Sequence, residues 1–167
     1  MNILAVDVDY RSDRAVAAGV LFQAWGDSAP LQEICVVCQI KDEYVPGEFY
    51  RRELPCILQL YKQIGTQVDI MLIDGFVYLG AERRPGLGMY LYERLNGKVA
   101  VIGVAKSAYK DTPAITALWR GRSKRPLYVT AIGIEETVAR QAIQQMHGQD
   151  RLPTLLKQVD RLCREHG

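Results

Sequence analysis

Histidine is scarce in this chain of 167 residues, which carries only His147 and His166. Both lie near the C-terminus in polar surroundings, and neither has a convincing catalytic partner nearby in the sequence. The chain therefore argues against a mechanism in which histidine is the general acid or base.

Long apolar segments are also absent, and no run reaches the roughly 20 residues that a membrane-spanning helix needs. The N-terminus enters a strand at once, without a basic segment or a small-residue cleavage site, so we find no secretory signal and expect a cytoplasmic protein. There is no repeat, low-complexity stretch or linker. We expect one domain over residues 1–167, with neither a membrane nor an obligate protein partner.

Cysteine is limited to four residues. The pair Cys35-x-x-Cys38 has a spacing that suits zinc or redox chemistry, but no second pair with ligand spacing follows. The pair also lies in an apolar run typical of a strand, where residues three apart point to opposite faces. The pattern favours small packed side chains over a metal site.

Basic and acidic residues are nearly equal in number, and a net charge of +2 does not by itself indicate binding to nucleic acid. The distribution is more informative, because basic residues crowd the segment 120–125 and recur at 51–52 and 83–84. Basic side chains near carboxylates suit a polyanionic substrate. The alternative is a solvated loop.

The pattern of elements predicts an α/β domain. Apolar runs at 2–9, 14–24 and 32–40, with short connections, favour an antiparallel meander of three strands. A helix is predicted from Pro46 to Ile64, with Pro55 inside it and Gly65 after it. Further strands are predicted at 68–73 and 99–104, a hairpin at 116–120 with 127–132, and helices at 83–95, 135–146 and 153–165. Together these predict a mixed sheet flanked by helices.

Three carboxylates stand in apolar contexts where the fold does not need them. Asp7 interrupts the first strand, Asp74 ends the strand at 68–73, and Glu53 falls on the apolar stripe of the predicted helix. Buried carboxylates are costly unless they are paired or bound to a cation. Because ligand sites lie at the carboxyl ends of parallel strands, we expect all three at one site for a hard metal ion.

Lys106 follows the predicted strand at 99–104 and would lie at the same edge of the sheet. Hydrolysis of a phosphodiester needs an activated water and stabilisation of extra negative charge, which a carboxylate-held metal ion and a nearby lysine supply. An exposed loop lysine is the alternative for Lys106 alone. Beside three carboxylates, the catalytic interpretation is favoured.

The chain resembles the endonuclease V family, which nicks DNA or RNA near inosine. The resemblance is carried by short motifs in the family's order, which span nearly the whole chain: Val6-Asp7-Val8-Asp9-Tyr10, Tyr44-Val45-Pro46-Gly47, Phe49-Tyr50-Arg51-Arg52-Glu53-Leu54-Pro55, Ile73-Asp74-Gly75, Gly103-Val104-Ala105-Lys106-Ser107, Pro126-Leu127-Tyr128-Val129, Arg151-Leu152-Pro153 and Asp160-Arg161-Leu162. The resemblance implies a ribonuclease H-like fold and a repair endonuclease.

It also implies roles for individual residues. Asp7 and Asp74 would ligate Mg²⁺, with Mn²⁺ as a substitute, Glu53 would complete the site partly through water, and Lys106 would face the scissile phosphate. Tyr44 would fill the gap left by an extruded base. The other residues implied in binding the DNA or RNA substrate are Gly47, Arg52, Gly75, Arg122 and Lys124.

The chain departs from the family pattern around the base pocket. Val77 stands where the family has a second glycine, the nearby histidine elements are missing, and Ile132-Gly133 replaces a glycine-histidine that the family places near the metal. We therefore expect relaxed or altered base selectivity, with Val77, Phe76 and Tyr78 narrowing the opening. Two alternatives stay open: a non-catalytic nucleic-acid-binding relative, and a ribonuclease H-like nuclease with another substrate.

Overall fold

The structure is a computed structural model and describes residues 1–39 and 50–166. Its helices are α1 (Tyr50–Ile64), α2 (Leu87–Arg94), α3 (Glu136–Gln145) and α4 (Thr154–Glu165). Its strands are β1 (Ile3–Tyr10), β2 (Arg14–Phe22), β3 (Gln32–Gln39), β4 (Ile70–Ile73), β5 (Tyr78–Leu79), β6 (Arg84–Pro85), β7 (Ala100–Ala105), β8 (Ala117–Leu118) and β9 (Leu127–Ile132).

Seven of these strands form one mixed sheet in the order β3-β2-β1-β4-β7-β9-β8. The N-terminal strands pair antiparallel, as the short turns between them predict, with Asp7 opposite Ala18. In the centre, β1, β4 and β7 run parallel, so their carboxyl ends share one edge. The strands β9 and β8 then complete the sheet in antiparallel pairing.

Each face of the sheet is covered by a pair of helices, because its side chains alternate between two apolar clusters. Ile3, Ala5 and Ile102 pack in the cluster that includes residues of α3 and α4. Leu4, Val6 and Val101 pack in the cluster that includes residues of α1 and α2. Both faces of the central strands are buried, which explains their continuous apolar runs. The predicted mixed α/β architecture is confirmed.

The cysteine pair follows the same alternation. Cys35 packs against the α3–α4 cluster, whereas Cys38 packs on the α1 side, where its thiol donates to Gln59 Oε1 at 3.0 Å. The two side chains point to opposite faces of β3, so they do not form a metal site together.

The helix predicted at 83–95 and the first strand of the predicted hairpin are clearly shorter than the sequence pattern suggests. The helix expected from Arg83 begins only at Leu87, because Arg84–Pro85 pairs with Tyr78–Leu79 in a small ribbon and Arg83 has a φ of 55°. The first strand of the predicted hairpin is reduced to Ala117–Leu118, because residues 114–116 form a 3₁₀ turn. The predicted start of α1 at Pro46 lies outside the described residues. No helix in the described chain is long and apolar enough to cross a membrane.

Candidate nuclease site

Three adjacent parallel strands bring the sequence-predicted groups to one edge of the sheet. Asp7 lies two residues beyond the Ala5–Leu72 pair, Asp74 directly follows β4, and Lys106 directly follows β7. The strands β4 and β7 end there because the following segments turn away at Gly75 and Ser107, whereas β1 continues to Tyr10. The expected convergence of Asp7, Asp74 and Lys106 is therefore present.

Lys106 is the cation of this cluster. Its Nζ lies 3.4 Å from Asp74 Oδ2 and 3.9 Å from Asp160 Oδ1, so it faces carboxylates from β4 and from α4. Burial alone would lower the pKa of Lys106, but the charges of Asp74, Asp7 and Asp160 raise it above its ordinary value. The ammonium group stays protonated and available as a fixed positive charge.

The neighbouring negative charges that stabilise the ionised form of Lys106 disfavour the ionised form of Asp7. Burial, the neighbouring charge of Asp74 and a hydrogen bond with Asp160 together raise its pKa from 3.8 to about 7, although Lys106 and the backbone N–H of Val8 oppose the shift. The Val8 N–H donates to Asp7 Oδ1 at 2.9 Å. A carboxylate crowded by other carboxylates in this way favours either a proton or a cation.

Glu53 approaches from the α1 side and joins the same electrostatic group. Burial and the charges of Asp74 and Asp7 raise its pKa from 4.5 to about 8, and Arg52 opposes the rise. The Arg52 guanidinium lies over the ring of Tyr10, 4.5 Å from its centroid. Arg52 is thus packed beside the acidic cluster, and its predicted contact with nucleic acid stays a prediction.

Asp160 also belongs to this cluster, although the sequence pattern does not indicate it as a candidate site residue. It projects from α4, and ligand atoms of Asp7, Asp160 and Cys163 lie within 4.8 Å of one another. Burial raises the pKa of the Cys163 thiol to about 12, so the thiol stays protonated and the carboxylate oxygens are the natural ligands. Asp160 did belong to a matched motif, which was the signal that could have identified it.

A cavity of about 430 Å³ opens beside this cluster, between α1, the β5–β6 ribbon and the start of α2. Glu53 and Asp74 line one end of it, and Gly75 and Gly86 contribute main chain. Its remaining lining residues are mostly apolar: Phe76, Leu79, Pro85, Leu87, Ser107, Ala108 and Tyr109. An apolar cavity with few polar groups suits a flat heterocycle more than a charged ligand.

Val77 does not narrow this cavity, contrary to the expectation from the sequence. Its side chain is fully buried in the α1–α2 cluster and would contact a Cβ placed on Gly88, while its N–H donates to Thr130 Oγ1 at 2.8 Å. The reason is alternation along residues 75–77: Phe76 lines the cavity, so Val77 points into the core. The predicted effect of Val77 on the opening is wrong, whereas the predicted contribution of Phe76 is supported.

The main chain of residues 75–77, which forms the cavity wall at Gly75 and Phe76, packs directly against the main chain at Gly103, Gly86 and Gly88. A Cβ on Gly103 would lie 2.5 Å from Gly75 O, and one on Gly86 would lie 2.5 Å from Phe76 O. Gly86 N and Gly88 N donate to Val77 O and Phe76 O, at 2.8 and 3.0 Å. Glycine is required at these contacts because a side chain would separate the two backbones.

The basic residues of segment 120–125 lie in two different environments, one exposed and one buried. Arg122 and Lys124 are exposed, as binding to phosphates would require. Arg120 is only 3% exposed, and its guanidinium donates to the backbone carbonyls of the α3–α4 connection at residues 146, 148, 150 and 151. The expectation that Arg120 belongs to the binding surface is therefore wrong, because all four acceptors are protein carbonyls. Tyr44 and Gly47 lie outside the described residues.

Ile132-Gly133 lies away from the acidic cluster, contrary to the expectation from the family resemblance. Ile132 pairs with Val101 at the start of β7, whereas Lys106 follows the end of β7. Five residues of extended strand separate the two levels by roughly 17 Å. The histidine that this segment lacks would therefore not have lain beside the acidic cluster.

The model of the Endonuclease V family matches residues 1–133. The chain belongs to the Endonuclease V family. Among curated members, the protein of Thermococcus kodakarensis is 28% identical over 163 residues, which cover 97% of this chain and 77% of that protein. The protein of Streptomyces coelicolor is 34% identical over 113 residues, 66% of this chain and 47% of its own length.

Several matched Endonuclease V proteins are longer than this chain. Only about half of the Rhodospirillum centenum protein is covered, 53%, at 30% identity over 131 residues.

Solved Endonuclease V structures share the fold. The Bacillus subtilis structure superposes with a TM-score of 0.81 at 21% identity, covering 98% of this chain and 79% of that chain. A Ciona intestinalis Endonuclease V, in complex with a 24mer DNA containing an inosine followed by a ribo-adenosine, gives 0.80 at 19% identity, covering 98% and 84%. The mixed sheet and flanking helices predicted from the sequence agree with these structures.

Proposed function

We propose that this Endonuclease V chain is a divalent-metal-dependent endonuclease that hydrolyses phosphodiester bonds in DNA or RNA near deaminated bases. The observation that carries the proposal is the cluster of Asp7, Asp74 and Asp160 around Lys106, at the carboxyl ends of parallel strands. We also propose a role in nucleic-acid repair and a cytoplasmic location for the protein.

The donor set fits Mg²⁺, with Mn²⁺ as a substitute. Asp7, Asp74 and Asp160 offer hard oxygen ligands, and Glu53 would complete the site partly through water. The raised pKa values of Asp7 and Glu53 support this, because burial and the neighbouring carboxylates make the ionised forms costly, and a cation would offset that cost. A bound divalent ion would polarise the phosphate and lower the pKa of a bound water.

Lys106 contributes a second positive charge beside the carboxylates. Since it stays protonated, its Nζ can donate hydrogen bonds to non-bridging phosphate oxygens as negative charge develops there. Asp74 and Asp160 hold the ammonium group at the mouth of the site, 3.4 and 3.9 Å away. Lys106 therefore stabilises the negative charge that develops on the phosphate in the transition state, and it takes no part in proton transfer.

The cavity beside Asp74 is the proposed site for the extruded base. Its apolar walls, with Phe76 and Leu87, would pack against a purine, while Ser107 and Tyr109 offer hydrogen-bonding groups. Extruding a base costs a few kcal/mol, least where pairing is already weak. Tyr44 and Gly47 would assist at the gap in the strand, as the family resemblance implies.

Cleavage of end-labelled strands tests the proposal. The substrates are otherwise identical single strands and duplexes, in DNA and in RNA, with either inosine or adenosine at one position. We expect cleavage with Mg²⁺ and none with a chelator. Asp7→Asn and Asp74→Asn should abolish it, whereas Asp27→Asn, at a turn near the opposite edge of the sheet, should keep full activity.

The outcomes separate the alternatives. Binding without cleavage under any metal condition would identify a non-catalytic relative. Equal cleavage of inosine-containing and unmodified strands would identify a nuclease with another substrate. Cleavage that survives both Asp7→Asn and Asp74→Asn would contradict the assignment of the site itself.

A further inference from the structure

We propose that Trp119 is a stacking platform for an unpaired base of the substrate strand, close to the nuclease site. The proposal rests on the proposed function, because it assumes a nucleic-acid substrate. Trp119 is 58% exposed. Among the aromatic side chains whose burial the structure describes, only that of Trp119 is exposed. The fold does not need an indole there.

The chain path places Trp119 near the acidic cluster. Trp119 follows β8 directly, beyond the pair Leu118–Leu127, so it lies opposite Pro126. Arg151 Nη1 donates to the carbonyls of both Pro126 and Lys106, at 3.1 and 2.9 Å. Two strand spacings separate β8 from β7, so the backbone of residue 119 lies roughly 10 Å from that of Lys106. A base stacked there would be about three nucleotides or fewer from the reacting phosphate.

The direction of Trp119 also fits. Leu118 packs against the α3–α4 cluster, and Arg120 turns inward to the α3–α4 connection. Alternation along the extended segment then sets Trp119 on the opposite face, the face of α1 and α2. The cavity beside Asp74 opens on that same face, lined by Glu53 of α1 and Leu87 of α2. A substrate strand whose extruded base enters the cavity could therefore continue across the indole.

The charges around Trp119 decide between two occupants. Arg122, Lys124 and Arg125 are exposed, and residues 117–127 contain no acidic side chain. Aromatic surface beside a basic groove is the arrangement with which proteins follow a single strand, stacking on bases while cations meet phosphates. A second copy of this chain, packed on the same surface around a two-fold axis, would oppose like charges.

The fluorescence of Trp119 gives a direct test. Trp25 is the other tryptophan; it packs edge-on against Phe22, 6.3 Å between centroids, and follows β2. Trp25→Phe therefore leaves Trp119 as a single reporter. In chelator, so that no cleavage occurs, we expect an unmodified single-stranded oligodeoxynucleotide to quench this fluorescence at saturation. The same sequence as a duplex should quench it far less, and inorganic polyphosphate should not.

Variants measure the contribution of stacking. Trp119→Ala should weaken binding of the single strand about tenfold or more, with the salt dependence unchanged. Trp119→Phe should recover most of the affinity, because it keeps an aromatic face. Arg122→Ala should instead reduce the salt slope by about one. The matched control is Ile115→Ala, since Ile115 is 69% exposed nearby but has no aromatic ring.

Failure of the stacking proposal can be distinguished from failure of the proposed function. If the protein cleaves its substrate but Trp119 is not quenched, or if Trp119→Ala binds as tightly as the natural protein, stacking is overturned and the proposed function stands. If no nucleic acid is bound or cleaved, both fail. If sedimentation shows a dimer that Trp119→Ala dissociates, the indole belongs to an interface between copies, which also overturns the proposal.

Discussion

Replacing Asp7 by asparagine should stabilise the metal-free protein while abolishing its activity. Asparagine keeps the shape of the side chain and an oxygen that accepts the Val8 N–H, but it cannot ionise. In the natural protein, ionised Asp7 faces Asp74 and is shielded from water, and both effects raise its pKa to about 7. The substitution removes that unfavourable charge.

The magnitude of this stabilisation and the pH range in which it appears follow from the difference between the pKa of Asp7 in the folded protein and in the unfolded chain. Between pH 3.8 and about 7 the folded protein retains a proton on Asp7 that the unfolded chain releases, so stability falls as the pH rises through this window. At about 1.4 kcal/mol for each pH unit, the full cost at pH 8 is roughly 4 kcal/mol. Solvent reaches part of this side chain and screens the charge, so we expect about 2 kcal/mol. That corresponds to about 4–8 °C in Tm for a chain of this size.

Thermal unfolding in chelator at several pH values measures the effect. At pH 8 we expect Asp7→Asn to melt about 4–8 °C above the natural protein, with less than half that difference at pH 5 and none below pH 4. Adding Mg²⁺ at pH 8 should raise the Tm of the natural protein but hardly that of the variant. A variant that is less stable at pH 8, or a difference that does not change with pH, would refute the reasoning.

Three further substitutions have distinct expected outcomes. Lys106→Ala should slow single-turnover cleavage about 10²–10³-fold with little change in substrate affinity; an unchanged rate would remove Lys106 from the mechanism. Arg120→Ala should cost about 3 kcal/mol or more in thermal unfolding, because four carbonyls lose their donor, whereas Arg122→Ala should melt like the natural protein; equal Tm values would contradict this. Val77→Gly should destabilise the fold by about 2–4 kcal/mol without changing the ratio of cleavage rates on inosine-containing and unmodified strands, while Phe76→Ala should change that ratio.

The central part of the site was predictable because apolar patterning makes a misplaced charge conspicuous. Asp7 and Asp74 interrupt or end strands that are buried on both faces, and Lys106 follows a third such strand. Parallel strand ends meet at one edge, so position in the sequence was enough to predict their convergence.

Other members could not be found in this way because their roles depend on tertiary contacts. Asp160 lies on a strongly amphipathic helix among charged neighbours, where a carboxylate is ordinary. Arg120 and Arg122 are two residues apart in one basic run, yet one donates to buried carbonyls and the other faces solvent. The family resemblance places Val77 at the base pocket, whereas alternation along residues 75–77 turns its side chain into the core. Composition does not distinguish these cases.

The cavity wall at residues 75–77 has a consequence for ligand entry. Gly75 N, Val77 N, Val77 O and Phe76 O are all hydrogen-bonded to neighbouring elements. This stretch of main chain is already immobilised before any ligand arrives, so no conformational entropy is lost there on binding. Amide hydrogen exchange in this segment should therefore be slow in the free protein and little altered by a ligand.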